Sequence, residues 1–232
     1  MLLKHLREEV LEANLEIVRR GLVVFTFGNA SACDRAEQLA VIKPSGVPYE
    51  KLRPEDLVVT DLEGNIREGS LRPSSDLPTH LALYRAWPAI NGVVHTHSRY
   101  ATAWAQANRA IPCFGTTHAD YFGGPIPVTG QMQPERIQSE YELNTGHAIL
   151  DHFAAHHLDP VTTPAVLVAS HAPFCWGPTV TDAAHTAAIV EELAHMALLT
   201  LTINAEAGPI QRALHEKHFF RKHGPTAYYG QK

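Results

Sequence analysis

Val93-Val94-His95-Thr96-His97-Ser98 is the stretch on which the reading of this chain turns. Its β-branched run predicts a strand. A strand sends alternate side chains to one face, so His95 and His97 project together while Thr96 faces away. Two neutral imidazoles on a rigid backbone can grip one transition-metal ion. The chain carries 15 histidines, so a close pair also arises by chance. Spacing alone leaves both readings open.

Composition narrows the rest. At 232 residues and 45% apolar, the chain can bury one full core, or at most two small ones. Twenty-four acidic against 19 basic residues give a net charge of −5. That balance argues against a general nucleic-acid partner, but leaves room for an anionic small substrate received by a local positive cluster or a metal. Cys33, Cys113 and Cys175 form no CxxC pair and read as free thiols in a reducing, cytoplasmic compartment. Lys4, Arg7, Glu8 and Glu9 interrupt the N-terminus too densely for a secretory signal. No apolar window is expected to span a bilayer, so no membrane partner is expected.

Outward from the histidines, Leu3, Leu6, Val10, Ala13 and Ile17 recur at helical spacing, and Gly21 is a plausible stop. Residues 22–27, 39–43 and 57–61 read as strands. Ser74-Ser75-Asp76 opens a helix whose Leu77, His80, Leu81, Tyr84 and Trp87 share a face. Further helices are predicted over 100–107, 134–157, 182–200 and 209–223. Residues 114–130 read as a long loop with short strands, and 165–170 as a strand that delivers His171. With no linker or repeat, the chain reads as one α/β domain. The irregular element order favours a mixed or antiparallel sheet.

A catalytic zinc site needs three protein ligands and an open position. His171 follows its strand much as His95 follows its own, so it is a geometrically reasonable third ligand, although alone it would read as a capping or loop histidine. His118, His156, His157, His185 and His195 lie in helix or loop sequence that suits the role less well. The absence of HExxH argues against a zincin peptidase.

Gly28-Asn29, Lys43-Pro44-Ser45-Gly46, Ser74-Ser75-Asp76, His95-Thr96-His97-Ser98, GTTHADYF over 115–122, Ser170-His171 and the tail through Tyr228-Tyr229-Gly230 occur in one order. Together they closely resemble the class II aldolase/epimerase superfamily, which also includes adducin heads, and within it the branch that inverts C4 of a ketopentose phosphate. The resemblance runs essentially end to end. It implies a single domain over 1–232 with a central, mostly antiparallel sheet flanked by helices. It also implies a fourfold homotetramer with active sites at subunit boundaries. Zn2+, or another divalent cation such as Mn2+ or Co2+, is implied at His95, His97 and His171, with Asp76 as a further ligand. Gly28, Asn29, Ser45, Gly46, Ser74 and Ser75 match the family's substrate-phosphate site, and Thr116 and Glu142 are carried over as substrate contacts. Asp120 and, from a neighbouring subunit, Tyr229 match its acid/base pair, so that the tail, about 224–232, would serve a neighbour's site.

The chemistry asks for these parts. In a 2-ketopentose 5-phosphate the carbonyl acidifies C3, not C4, so direct deprotonation at C4 would leave an unstabilised carbanion. Breaking C3–C4 avoids this: the 4-hydroxyl loses its proton, an enediolate forms, and glycolaldehyde phosphate turns its carbonyl face and recondenses. A divalent cation on the C2 and C3 oxygens would stabilise the enediolate. The reaction then needs a proton acceptor on each face and an anchor for the aldehyde phosphate. Backbone N–H groups at the turns and at the helix start after Ser75 suit that anchor, although N-capping by Ser75 is the plainer reading. Lys43 can add charge, or be a strand-edge surface lysine. His218 and Arg221 share a helical face and can reach the phosphate, or form a solvated basic face. Asp120 can be a turn aspartate, and Tyr229 part of a frayed end. Two rival functions remain: an aldolase that releases its fragments, where a glutamate usually stands in place of Asp76, and a non-catalytic scaffold like the adducin head.

Overall fold

A computed structural model describes residues 1–225 and 227–229. Seven strands, β1 (Gly28–Asp34), β2 (Leu39–Ile42), β3 (Val58–Asp61), β4 (Ile66–Glu68), β5 (Gly92–Thr96), β6 (Ala165–Leu167) and β7 (Pro173–Gly177), form one sheet in the order β4-β3-β2-β1-β5-β7-β6. Every pairing between these strands is antiparallel, and an isolated parallel bridge joins Val128 to Leu167. Helices α1 (Lys4–Arg19), α3 (Arg99–Gln106) and α7 (Val180–Ile203) cover one face. Helices α2 (Leu77–Ala86) and α6 (Tyr141–Ala155) cover the other. Short helices α4 (Thr116–Ala119) and α5 (Pro134–Gln138) lie in connections, and α8 (Arg212–Lys222) packs on α4.

The histidine strand sits at the centre. β5 is buried along its whole length between β1 and β7, which is why it reads Gly-Val-Val rather than alternating. Its register sets Asn29 opposite His95 on one side and Phe174 opposite it on the other.

Several elements differ from the sequence reading. Residues 22–27 form a loop, and β1 begins at Gly28. Phe25 there has φ 54 and is 81% exposed, neither of which fits a buried strand. β1 itself, Gly-Asn-Ala-Ser-Ala-Cys-Asp, has weak strand propensity, but its small side chains fit where both faces are covered, so packing overrides propensity. The helix over 134–157 is broken at Ser139–Glu140 into α5 and α6. The strand before His171 stops at Leu167, and residues 114–130 contain α4. Helix α7 is long and apolar enough, by length and composition, to cross a membrane, which corrects the expectation that no window is. Here it is the core helix: Ala183, Ala187, Val190, Leu193 and Ala194 are buried, and it packs on β5 and β7.

Candidate metal centre and acid–base cluster

Three histidines meet at one end of the central strands. His95 closes β5, His97 follows one residue beyond it, and His171 lies in the β6–β7 connection, where antiparallel pairing brings the two chain segments side by side. One ligand nitrogen from each lies within 4.8 Å of the others. His95 Nδ1 is 2.9 Å from the Pro173 carbonyl. Donation there assigns the proton to Nδ1 and leaves Nε2 as the ligand atom. The His95 ring also stacks on Phe174, with centroids 4.2 Å apart. Burial lowers the pKa of His95, with Asp76 and the Pro173 carbonyl opposing it. Burial and His95 lower that of His97. Burial, His95 and His97 hold His171 down to about 4. Neutral imidazoles are the form that binds metal, so this donor set fits a divalent cation of the zinc type.

Asp76 is next to this cluster but not one of the three. It is the N-cap residue of α2, yet its side chain makes no cap bond. Instead Asn29 Nδ2 donates to Asp76 Oδ2 at 2.6 Å and lies 3.0 Å from Ser74 Oγ. Burial works to raise the Asp76 pKa, but His95, His80, Asn29 and His171 together hold it below the usual value. The Ser75 side chain does not cap the helix either, and it is exposed.

The phosphate candidates converge. Pro44 and Pro73 form an isolated bridge, Ser45 N–H donates to Arg72 O, and Ser74 N–H donates to Lys43 O. The Ser45-Gly46 turn, with Gly46 at φ 68, therefore lies beside Ser74-Ser75, and Asn29 is tied to Ser74. Gly28 is required by space: a Cβ there would come 2.9 Å from the His95 carbonyl oxygen. Lys43 is not a surface lysine. It is 2% exposed, with Nζ 3.2 Å from Pro44 O and 4.8 Å from the Tyr49 ring centroid. Burial brings its pKa down to about 8. Glu142 stands in the first turn of α6, where its carbonyl accepts from Thr79 Oγ1.

The remaining candidates gather elsewhere. Arg221 forks onto Asp120, Nε to Oδ1 at 3.0 Å and Nη2 to Oδ2 at 2.7 Å. His218 Nδ1 is 3.0 Å from Oδ1, and Lys222 Nζ 3.7 Å from Oδ2. Burial opposes ionisation of Asp120, but Arg221, His218 and Lys222 outweigh it and lower its pKa. The Tyr229 ring lies under Arg221 and Lys222, 4.7 Å from each, and its N–H donates to Arg221 O. Tyr229 is thus docked against α8, and in this chain His218 and Arg221 engage Asp120 rather than the phosphate turns. Thr116 opens α4 at the same cluster.

This cluster lies away from the histidines. Tyr121 and Phe122, which follow Asp120, share a cavity with Ile90, Trp176 and Gly177. Those residues mark the end of β5 and β7 opposite His95 and Pro173, and β5 rises about 10 Å from Gly92 to His95. Gly230, named with the tail, lies outside the described residues. Sequence reasoning missed Tyr141, whose hydroxyl is 3.4 Å from His171 Nδ1. No spacing signal marked it.

The antiparallel sheet presents three imidazoles beside paired polar turns, and residues 8–198 match the family described as Class II Aldolase and Adducin N-terminal domain. The chain belongs to that family. Over 230 residues it is 53% identical to L-ribulose-5-phosphate 4-epimerase UlaF of Salmonella paratyphi B, covering 99% of this chain and 100% of that one. Among solved structures, an L-fuculose 1-phosphate aldolase superposes with TM-score 0.79 at 25% identity, over 94% of this chain and 95% of that one. The L-fuculose-1-phosphate aldolase of Thermus thermophilus shares the fold, with TM-score 0.68 at 24% identity over 87% and 97%.

Proposed function

We propose that this chain is a metal-dependent L-ribulose-5-phosphate 4-epimerase that interconverts L-ribulose 5-phosphate and D-xylulose 5-phosphate through cleavage and re-formation of C3–C4. The observation that carries this reading is the convergence of His95, His97 and His171 beside the joined turns of Ser45-Gly46 and Ser74-Ser75. The full-length likeness to the Salmonella enzyme supports it.

In this reading His95, His97 and His171, with Asp76 as a further ligand, hold a divalent cation, zinc or else manganese or cobalt. Bound there, the cation supplies Lewis-acid stabilisation of charge on the substrate's oxygens. Asn29, the Ser45-Gly46 turn and Ser74-Ser75 take the phosphate through N–H and O–H donors, and protonated Lys43 beneath them adds a full charge. Thr116 and Glu142 contact the sugar. Asp120, ionised by its cationic neighbours, accepts the 4-hydroxyl proton on one face, and Tyr229 exchanges a proton on the other. Asp120 and Tyr229 stand at the far end of the strands from their own chain's histidines, so both act on the site of an adjacent subunit. The assembly is a fourfold homotetramer in which the single domain lends its tail to its neighbour. His218 and Arg221 hold Asp120 in place and face the neighbour's bound substrate. Three buried thiols suit a reducing cytoplasm.

A coupled assay of D-xylulose 5-phosphate formation, before and after chelation, tests the proposal. Turnover should vanish with chelator and return with zinc, manganese or cobalt. No turnover under any of these ions would sink it. Steady release of glycolaldehyde phosphate would make the chain an aldolase instead.

A further inference from the structure

Behind Asp76 lies a buried polar chain with no part in the steps above. The Tyr84 hydroxyl is 2.6 Å from Ser31 Oγ, which is 2.7 Å from His80 Nδ1, and all three residues are fully buried. The buried phenol has no other acceptor among the described residues, so it gives its proton to Ser31. Ser31 has one proton, which then goes to His80 Nδ1 as acceptor. This relay puts the His80 proton on Nε2. Nε2 is buried and has no hydrogen-bond partner among the described residues.

His80 stands one helical turn after Asp76, with its N–H donating to the Asp76 carbonyl, so the two side chains share a side of α2. Its ring meets Phe174 edge-on at 6.0 Å, and Phe174 is the ring on which His95 stacks. Asp76 Oδ2 is engaged by Asn29 and Ser74, whereas Oδ1 has no hydrogen bond among the described residues. Burial alone would make His80 a core histidine. An oriented donor left unpaired beside a half-engaged carboxylate argues for more.

We propose that His80 is a positioning residue: its Nε2 proton, set by Ser31 and Tyr84 and unpaired in this structure, is taken up by the Asp76 carboxylate when a cation engages the three-imidazole cluster, and so fixes that carboxylate toward it. This inference rests on the reading of Asp76 as a cation ligand. It deepens that reading by naming what orients the ligand.

The test compares wild type with His80→Gln, His80→Asn, His80→Leu, Ser31→Ala and Asp76→Asn in the assembled protein. The probe is Co2+ alone, read by titration and by its visible absorption bands, with thermal melts to confirm folding. A glutamine amide reaches the position of Nε2, while an asparagine amide reaches only that of Nδ1. His80→Leu and His80→Asn should weaken Co2+ binding by about 10–100-fold and shift the bands, whereas His80→Gln stays near wild type. Ser31→Ala, which frees the tautomer, should fall between. Asp76→Asn binding Co2+ like wild type would refute Asp76 as a ligand, whatever His80 does. Asp76→Asn weakened with folded His80→Leu unaffected, or His80→Gln as weak as His80→Asn, would overturn the role of His80. If His80→Leu does not fold, the Gln–Asn comparison and Ser31→Ala decide alone.

Discussion

At the scale of single residues, burial changes what a side chain can do. Lys43 is enclosed beside the Ser45-Gly46 and Ser74-Ser75 turns, and its pKa drops from 10.5 to about 8. Between those values the unfolded chain holds a proton that the folded protein has released, so stability rises with pH over that window. Below about 8 both states are protonated, and the penalty of burying the charge is borne in full. Lys43→Met, without anion, should therefore be more stable than wild type at pH 7, by on the order of 2 kcal/mol. That advantage should shrink from pH 8 to 10.5. Urea titrations across that range check it, and a pH-independent difference would refute the assignment. Millimolar phosphate should reverse the order at pH 7, because a bound anion compensates the buried ammonium.

At the scale of elements, the site depends on how β1 is held. β2 ends at Ile42, opposite Ser31, so the edge of β1 at Ala30 has no strand partner on that side. Asn14 on α1 replaces it, with Oδ1 accepting from Ala30 N–H at 3.0 Å and Nδ2 reaching Ala30 O at 3.2 Å. The pair fixes the strand one residue from Asn29, which ties Ser74 and Asp76 together. Asn14→Leu keeps the volume but leaves two buried backbone groups unpaired, a loss of about 2–4 kcal/mol. A chemical denaturation midpoint close to wild type would show that the strand finds other partners.

At the scale of the whole molecule, the two halves of the proposed chemistry lie at opposite ends of the central strands. His97→Ala and Asp120→Asn should each be inactive alone. Co-refolded in equal amounts as a fourfold ring, they should regain about a quarter of wild-type activity, since each site draws one half from each of two neighbours. No recovery in verified hybrids would place both halves within one chain's site. The loop before Gly28 bears on the same proposed assembly. Val24, Phe25 and Phe27 are exposed, and Phe27 is 6.4 Å from the His97 ring. In the proposed assembly this patch at the site rim is the expected contact surface. Phe25→Asp should dissociate the assembly in light scattering and abolish turnover while leaving the monomer's circular dichroism unchanged.

The sequence by itself determined the local facts. The β-branched run made β5 a strand, its period of two aimed His95 and His97 alike, and the motif order carried the family. These are short-range properties, set by propensity and spacing. Only the tertiary structure decided the rest. Strand β1 was illegible because small residues form a strand only when a crowded sheet has room for nothing larger, and the apolar run at 22–27 was left outside. Lys43 reads either as a cation for the phosphate or as a strand-edge surface lysine, and only its burial excludes the second; His80 reads as part of an apolar face, and only the packing of β1 under α2 brings Ser31 to bridge it to Tyr84 one helical turn along. Asp120 is the sharpest case. Its motif was plain in the sequence, but its distance from the histidines follows from strand direction, a long-range property that no local pattern encodes.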